Sequence, residues 1–278
     1  MTHPRLGILS GSGQLVKDVV HSCEKRDQSY FLLGFEGQSE RDFIERHPHA
    51  WSTLGKIGKS LKLLKEAGVE QIVMAGRIHR PSWSEIRPDS TGALWLAQIA
   101  RKALGDDALL RFLIDKLEKE GFKVVSAESI IGNTLLAPEG ILGDAHPDEQ
   151  ALRDIKRGQS VLKSLSCEDV GQAIVVQEGI VLGIEAFEGT DELIRRTGTY
   201  RSWEGAHPVL VKTCKVNQDL RADRPAIGPR TIELLSKAGF AGVSFESQGV
   251  ILLEQEKLIK LANQKNIFLI GSPPDDKD

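Results

Sequence analysis

The sequence predicts an α/β protein of two domains, the first built on a parallel sheet and the second on a mixed one. Three observations carry this. Short apolar runs alternate with amphipathic helical patterns from Leu6 onward, with connections too short for anything but strand–helix–strand units. The patterning breaks at Leu136–Gln150, which holds two prolines and two glycines. It then restarts with two apolar runs joined at Glu178-Gly179, a hairpin signal that brings an antiparallel pair into the second sheet. Residues 1–135 are therefore expected to form a Rossmann-like nucleotide- or phosphate-binding domain. Residues 136–278 are expected to form an α/β domain that carries the acidic loop Asp219–Asp223.

Each element follows from its pattern. "RLGIL" reads as a strand, "GSG" as a tight turn, and "QLVKDVVHSCEKR" as a helix with Leu15, Val19, Val20 and Cys23 on one face. "SYFLLGF" is a second strand. "LGKIGKSLKLLKEAG" is a helix with Ile57, Leu61 and Leu64 inward, stopped by Gly68. "EQIVMAG" and "FKVVSA" are strands, separated by the helices "ALWLAQIARKAL" and "DALLRFLIDKLEKEG". These two helices carry more apolar side chains than one buried face needs, Trp95 and Phe112 among them. The excess suits core packing, a hydrophobic chute or a homodimer interface. In the second half, "PDEQALRDIKRGQSVLKSL" is a helix, "GQAIVVQEGIVLGI" the hairpin, "TDELIRR" a short helix and "HPVLVKTCK" a strand. After the loop that follows, the helix "RTIELLSKAG", strands "GVSFE" and "GVILLE", helix "QEKLIKLANQK" and strand "NIFLIG" complete the domain.

Composition excludes several classes. Net charge is −3 and the pI near 6.2, which gives no footprint for nucleic acid. The three cysteines are far apart and form no CxxC or Cys/His spacing, so neither zinc nor a disulfide framework is expected, and a cytoplasmic location fits. No signal peptide or membrane-spanning run is visible.

Four constellations carry chemistry. The turn Gly11-Ser12-Gly13 lets backbone N–H groups approach an anion at a helix N-terminus. It matches two glycines of the dinucleotide fingerprint, with Val16 in place of the third and Glu36 where a ribose-binding acid sits. Arg77 and Arg80, beyond the third strand, point bidentate donors to the same crevice. Glu185 and Glu188 end a strand; Thr190 reads as the N-cap of the next helix, with Asp191 and Glu192 in its first turn. Finally, "KTCKVNQDLRADRPAIGP" places Asp219, Arg221, Asp223 and Arg224 in a loop stiffened by Pro225 and Pro229. Two hard carboxylates with adjacent bases suit Mg²⁺ and a phosphate, with Lys212 able to stabilise charge on phosphorus.

"GILSGSGQL", "GRIHRP", "EGFKVVSAESII", "DVGQAIVVQEGIVLGIEAFEGTDELIRR" and "LVKTCKVNQDLRADRPAIGPRTIE" together resemble the LpxI-type UDP-2,3-diacylglucosamine pyrophosphatases of lipid A biosynthesis, from about Leu6 to Gly271. The resemblance implies Mg²⁺-dependent hydrolysis of UDP-2,3-diacylglucosamine to 2,3-diacylglucosamine 1-phosphate (lipid X) and UMP. It implies an essential aspartate in the acidic loop, taken as Asp223 with Asp219 second, beside Lys212. Gly11, Ser12, Gly13, Arg77, Arg80, Glu188 and Thr190 would bind substrate; Asp223, Asp219, Glu185 and Asp191 would hold the metal. The partner is then a lipid-bearing nucleotide sugar, with peripheral contact at the cytoplasmic face of the inner membrane. Val216 and Asn217 depart from the family's Pro-Gly pair. Two other readings are an NAD(P)-binding oxidoreductase, resting on the glycine turn, and a non-catalytic nucleotide-sugar sensor.

Overall fold

The computed structural model describes the chain except residues 1–2, 80–85, 103–105, 169, 200–204, 216–217, 222–223 and 274–278. Its contacts divide into two units: Met1–Asn133 with Asp219–Asp223, and Thr134–Gln218 with Arg224–Asp278.

The first unit runs β1 (Leu6–Ser10), α1 (Gln14–Lys25), β2 (Tyr30–Phe35), α2 (Arg41–Ile44), β3 (His49–Ser52), α3 (Ile57–Glu66), β4 (Gln71–Ala75), α4 (Ser90–Lys102), α5 (Asp106–Lys119), β5 (Lys123–Val125) and α6 (Ala127–Ile131). All its strands are parallel, in the order β3-β2-β1-β4-β5, the doubly wound arrangement. One face packs Leu33, Phe35 and Ile72 against Leu61 and Leu64 of α3, Trp95 of α4 and Phe112 of α5. On α1, Val16, Val19, Val20 and Cys23 are buried. Burial also pushes the Cys23 thiol up to about 11, which leaves it inert.

β3 was not expected. "HAWS" is too short and polar to read as a strand, yet it pairs with β2 from His49 to Ser52. Trp95 resolves the apolar excess of its helix differently from a chute: it is 7% exposed and meets Phe112 edge-on at 6.1 Å. The exposed apolar residue is its neighbour Leu94, at 65%.

The second unit runs β6 (Gly140–Leu142), α7 (Glu149–Leu165), β7 (Ala173–Gln177), β8 (Ile180–Ile184), α8 (Thr190–Gly198), β9 (Val209–Lys212), β10 (Ala226–Ile227), α9 (Pro229–Ala238), β11 (Gly242–Glu246), β12 (Ile251–Leu252), α10 (Gln255–Lys265) and β13 (Phe268–Ser272). Its main sheet has the order β6-β13-β11-β9-β7-β8. β9, β11 and β13 are parallel to one another, whereas β7, β8 and β6 each run antiparallel to a neighbour. The Glu178-Gly179 hairpin forms, with φ of 50° and 78° as such a two-residue turn requires. β10 and β12 make a separate two-stranded ribbon, so "GVILLE" does not join the main sheet.

Alternation along β9 sets up the site. Val209 and Val211 pack with Ala151, Ile155 and Leu162 of α7. Leu210 packs with Leu193 and Ile194 of α8. Lys212, two residues after Leu210, therefore leaves the sheet on the α8 side.

Candidate functional site

Lys212 is the last residue of β9 and lies opposite Ala173 of β7 and Phe245 of β11. Flanked by strands on both sides and capped by α8, it is only 4% exposed. Its Nζ donates to Thr190 Oγ1 at 2.7 Å, and Thr190 Oγ1 lies 2.6 Å from Glu185 Oε1. The sense of this chain is fixed by chemistry. An ammonium has no acceptor, so the threonine oxygen accepts from Lys212 and its hydroxyl hydrogen must go to the carboxylate. Glu185 is itself 7% exposed and takes the Gln172 backbone N–H at 3.4 Å. A cation and an anion thus share one hydroxyl in the interior, the condition under which each charge can stay buried.

The backbone is shaped to allow this. The Glu185 N–H bonds Ala173 O at 2.8 Å, which draws the end of β8 onto the start of β7. Gly171 is required there: its φ is +57°, and a Cβ would sit 2.1 Å from Glu185 O. Thr190 differs from the sequence expectation. Gly189 occupies the N-cap position with φ 80°, and Thr190 is the first residue of α8. Its hydroxyl is drawn to Glu185 and Lys212 rather than back to its own helix, because two buried charges outcompete a solvated N–H.

The other acids of this segment have basic partners. Asp191 Oδ2 pairs with Arg230 Nε at 3.0 Å. Glu188 Oε1 receives Arg196 Nε at 3.1 Å and Nη2 at 2.9 Å, while Arg196 also bonds Ile184 O at 2.7 Å. The Glu188 carboxyl is held below the usual range by its own backbone N–H and by Arg196, against a partial burial that opposes them. Glu192 pairs with Arg195.

In the acidic loop, Arg221 grips Asp219 as a fork: Nε to Oδ1 at 3.0 Å and Nη2 to Oδ2 at 2.8 Å, with the Arg221 backbone N–H on Oδ1 at 3.0 Å. That pairing holds the Asp219 carboxyl below the usual range although burial acts the other way. Arg221 Nη1 also reaches Glu118 Oε1 of α5 at 2.7 Å, within the first unit. Arg224 is directed to backbone, its Nη1 on Gln248 O at 2.9 Å and Gly249 O at 3.2 Å. Asp223, Arg80, Val216 and Asn217 lie outside the described residues.

The glycine turn is built differently from an anion cradle. Gly11 N bonds Ala75 O at 2.8 Å, and Ser12 N and Arg77 N exchange bonds with each other's carbonyls at 2.9 and 2.8 Å. Gly13 N donates to Glu40 Oε1 at 3.0 Å, and Glu40 pairs with Lys17 at 2.8 Å. All three N–H groups of Gly11-Ser12-Gly13 are therefore bound, and a carboxylate of the chain itself stands at the α1 N-terminus where a phosphate was expected. Gly11 is needed for close approach, since a Cβ would lie 2.4 Å from Arg77 O. Arg77 meets the turn through its backbone and Ser12 Oγ, its side chain remaining exposed. Sequence reasoning missed Glu40 because only the fold brings a residue 27 positions away onto the turn.

Among the described residues, no group of three or more His, Cys, Asp or Glu side chains could hold a metal ion. Asp219, Glu185 and Asp191 have oxygens and the right hardness for Mg²⁺, but each is engaged with a protein donor.

The two units thus define an α/β protein in which a doubly wound parallel-sheet unit is joined to a mixed-sheet unit with a buried lysine–threonine–glutamate cluster at its strand ends. Residues 5–134 match the LpxI N-terminal domain and residues 138–270 the LpxI C-terminal domain, so the chain belongs to the LpxI family. A relative from Caulobacter vibrioides, UDP-2,3-diacylglucosamine pyrophosphatase LpxI, is 33% identical over 98% of this chain and 99% of its own. A solved structure, CobK precorrin-6A reductase, aligns over 99% of this chain and 89% of its own at 11% identity; its TM-score of 0.33 carries no argument. Among the described residues, no helix is long and apolar enough to cross a membrane.

Proposed function

We propose that this chain hydrolyses the pyrophosphate bond of UDP-2,3-diacylglucosamine to give 2,3-diacylglucosamine 1-phosphate (lipid X) and UMP, in lipid A synthesis. The observation that carries the proposal is the end-to-end match to a relative named for this substrate, at 33% identity with both chains almost fully covered. The Lys212 cluster and the acidic loop supply the chemistry that such a reaction needs.

In this reading Lys212 provides fixed positive charge for the phosphate oxygens. Thr190 and Glu185 hold its ammonium in one place, so no reorganisation is needed when charge develops on the anhydride. Glu185 acts through Thr190 rather than as a metal ligand, since its carboxylate is engaged there. Asp223 is the candidate for the essential aspartate, orienting or deprotonating the attacking water, and Arg221 keeps Asp219 ionised beside it in sequence. Glu188 precedes α8 and Asp191 lies in its first turn, both candidates for the site beside Thr190, and Arg77 and Arg80 remain candidates for binding nucleotide phosphates.

Mg²⁺ is proposed as the cofactor. Because Asp219, Glu185 and Asp191 each have a protein partner, its ligands fall to Asp223 and the substrate's own phosphates. When bound, it would neutralise the anhydride and acidify water. The protein is proposed to be cytoplasmic and to meet its diacyl substrate by peripheral contact with the inner membrane. A homodimer remains a proposal, with Leu94 as the exposed apolar residue on α4.

The experiment is product analysis. Purified protein and UDP-2,3-diacylglucosamine should yield lipid X and UMP in equal amounts. Release of UDP and free diacylglucosamine, or binding without any turnover, would contradict the proposal.

A further inference from the structure

Glu36 directly follows β2, at the edge where ligands of open parallel sheets collect. Its backbone N–H bonds Ser52 O at 2.9 Å and its Oε2 receives Arg41 Nη2 at 2.8 Å. The Arg41 guanidinium lies 4.5 Å from the centroid of the Trp51 ring, with Glu45 Oε1 on its other nitrogen at 2.7 Å.

Three features of this group go beyond what packing demands. The Trp51 ring lies across β2 at Gly34, where a Cβ would come within 2.9 Å of it. Trp51 Nε1 and Thr53 Oγ1, two residues apart at the end of β3, are buried without a hydrogen-bond partner among the described residues. Folded chains rarely leave such atoms unmatched. And a carboxylate at the end of the second strand is where nucleotide-binding sheets take ribose hydroxyls. The glycine turn, by contrast, has no N–H group left for a phosphate.

We infer that this edge is a ribonucleoside subsite in which Arg41 is a placeholder. The planar base replaces the planar guanidinium on the Trp51 face, and Glu36 accepts a hydrogen bond from a ribose hydroxyl. Arg41 is 54% exposed and tethered by surface carboxylates, so moving it costs little. Stacking tolerates any base, so the site reads a ribonucleoside and not uracil as such. The inference rests on the proposed reaction for the identity of the nucleoside, uridine.

The test is calorimetric binding of UMP, 2′-deoxy-UMP and inorganic pyrophosphate to the full chain, with tryptophan fluorescence alongside. Trp51→Ala should weaken UMP about 5- to 150-fold and leave pyrophosphate unchanged. Glu36→Gln should erase a preference for UMP over its 2′-deoxy analogue. Trp51→Phe keeps an aromatic face, guards against misfolding and should abolish the quenching that UMP causes in wild type. UMP affinity within about twofold of wild type in Trp51→Ala and Glu36→Gln would overturn the subsite. So would unchanged quenching in Trp51→Phe. A chain that turns over substrate with those null results loses the subsite alone; one that binds UMP through Trp51 without turnover loses the reaction and keeps the subsite.

Discussion

Lys212 and Thr190, 22 residues apart, meet at 2.7 Å inside the second unit, and the hydroxyl passes the contact on to Glu185 at 2.6 Å. A buried ammonium and a buried carboxylate are thereby joined through one small side chain. Thr190→Val keeps the shape and removes the joint, so Lys212 and Glu185 each lose their bond to the hydroxyl. It should cost about 1–3 kcal/mol in urea unfolding and most of the turnover, with Thr190→Ser restoring both. Equal stability of the valine variant would contradict the linkage.

The Asp219–Arg221 fork gives a pH signature. The Asp219 carboxyl is held below its ordinary value in the folded chain, by Arg221 against burial, so the unfolded chain binds its proton first as pH falls. Its contribution is complete above the unfolded value, near pH 4, and is lost as pH drops through the folded one. Asp219→Asn should therefore flatten the acid limb of stability below about pH 4 while having less effect on its slope at neutral pH. An unchanged acid limb would contradict the pairing.

At the glycine turn, Gly11→Ala should destabilise the chain by about 1–3 kcal/mol, because its Cβ would overlap the Arg77 carbonyl. NAD⁺ should bind no more tightly than adenosine, since the three turn N–H groups are engaged and leave its pyrophosphate without donors. NAD⁺ binding about tenfold or more tighter than adenosine would contradict this account of the turn.

Trp95→Ala should cost about 3–5 kcal/mol, as removal of a large core ring does. Leu94→Ser, one residue away and 65% exposed, should fall within about 0.5 kcal/mol of wild type. Comparable losses at the two positions would argue against the observed facing of α4.

The division between what the sequence reveals and what it hides follows sequence distance. The alternation of apolar runs with helical patterns predicts the parallel sheet of the first unit because each strand–helix–strand step is local, and Glu178-Gly179 announces its hairpin by turn chemistry alone. The acidic loop stands out by composition. Pairings that need the fold are invisible: Glu40 on Gly13, Arg221 on Glu118 across 103 positions, Thr190 under Lys212. β3 and β6 were missed for a related reason. "HAWS" and "GIL" have too few apolar residues to show a period, and each becomes a strand because a neighbour, β2 or β13, supplies the hydrogen bonds.

The most direct measurement is UMP release from UDP-2,3-diacylglucosamine, with and without Mg²⁺, by wild type and by Asp223→Ala and Lys212→Met. The account predicts Mg²⁺-dependent release by wild type, abolished in folded Asp223→Ala and reduced by about a hundredfold or more in Lys212→Met, the scale of losing one transition-state donor. No release by a wild-type chain that still binds UDP-2,3-diacylglucosamine would contradict it and leave a nucleotide-sugar binding protein in its place.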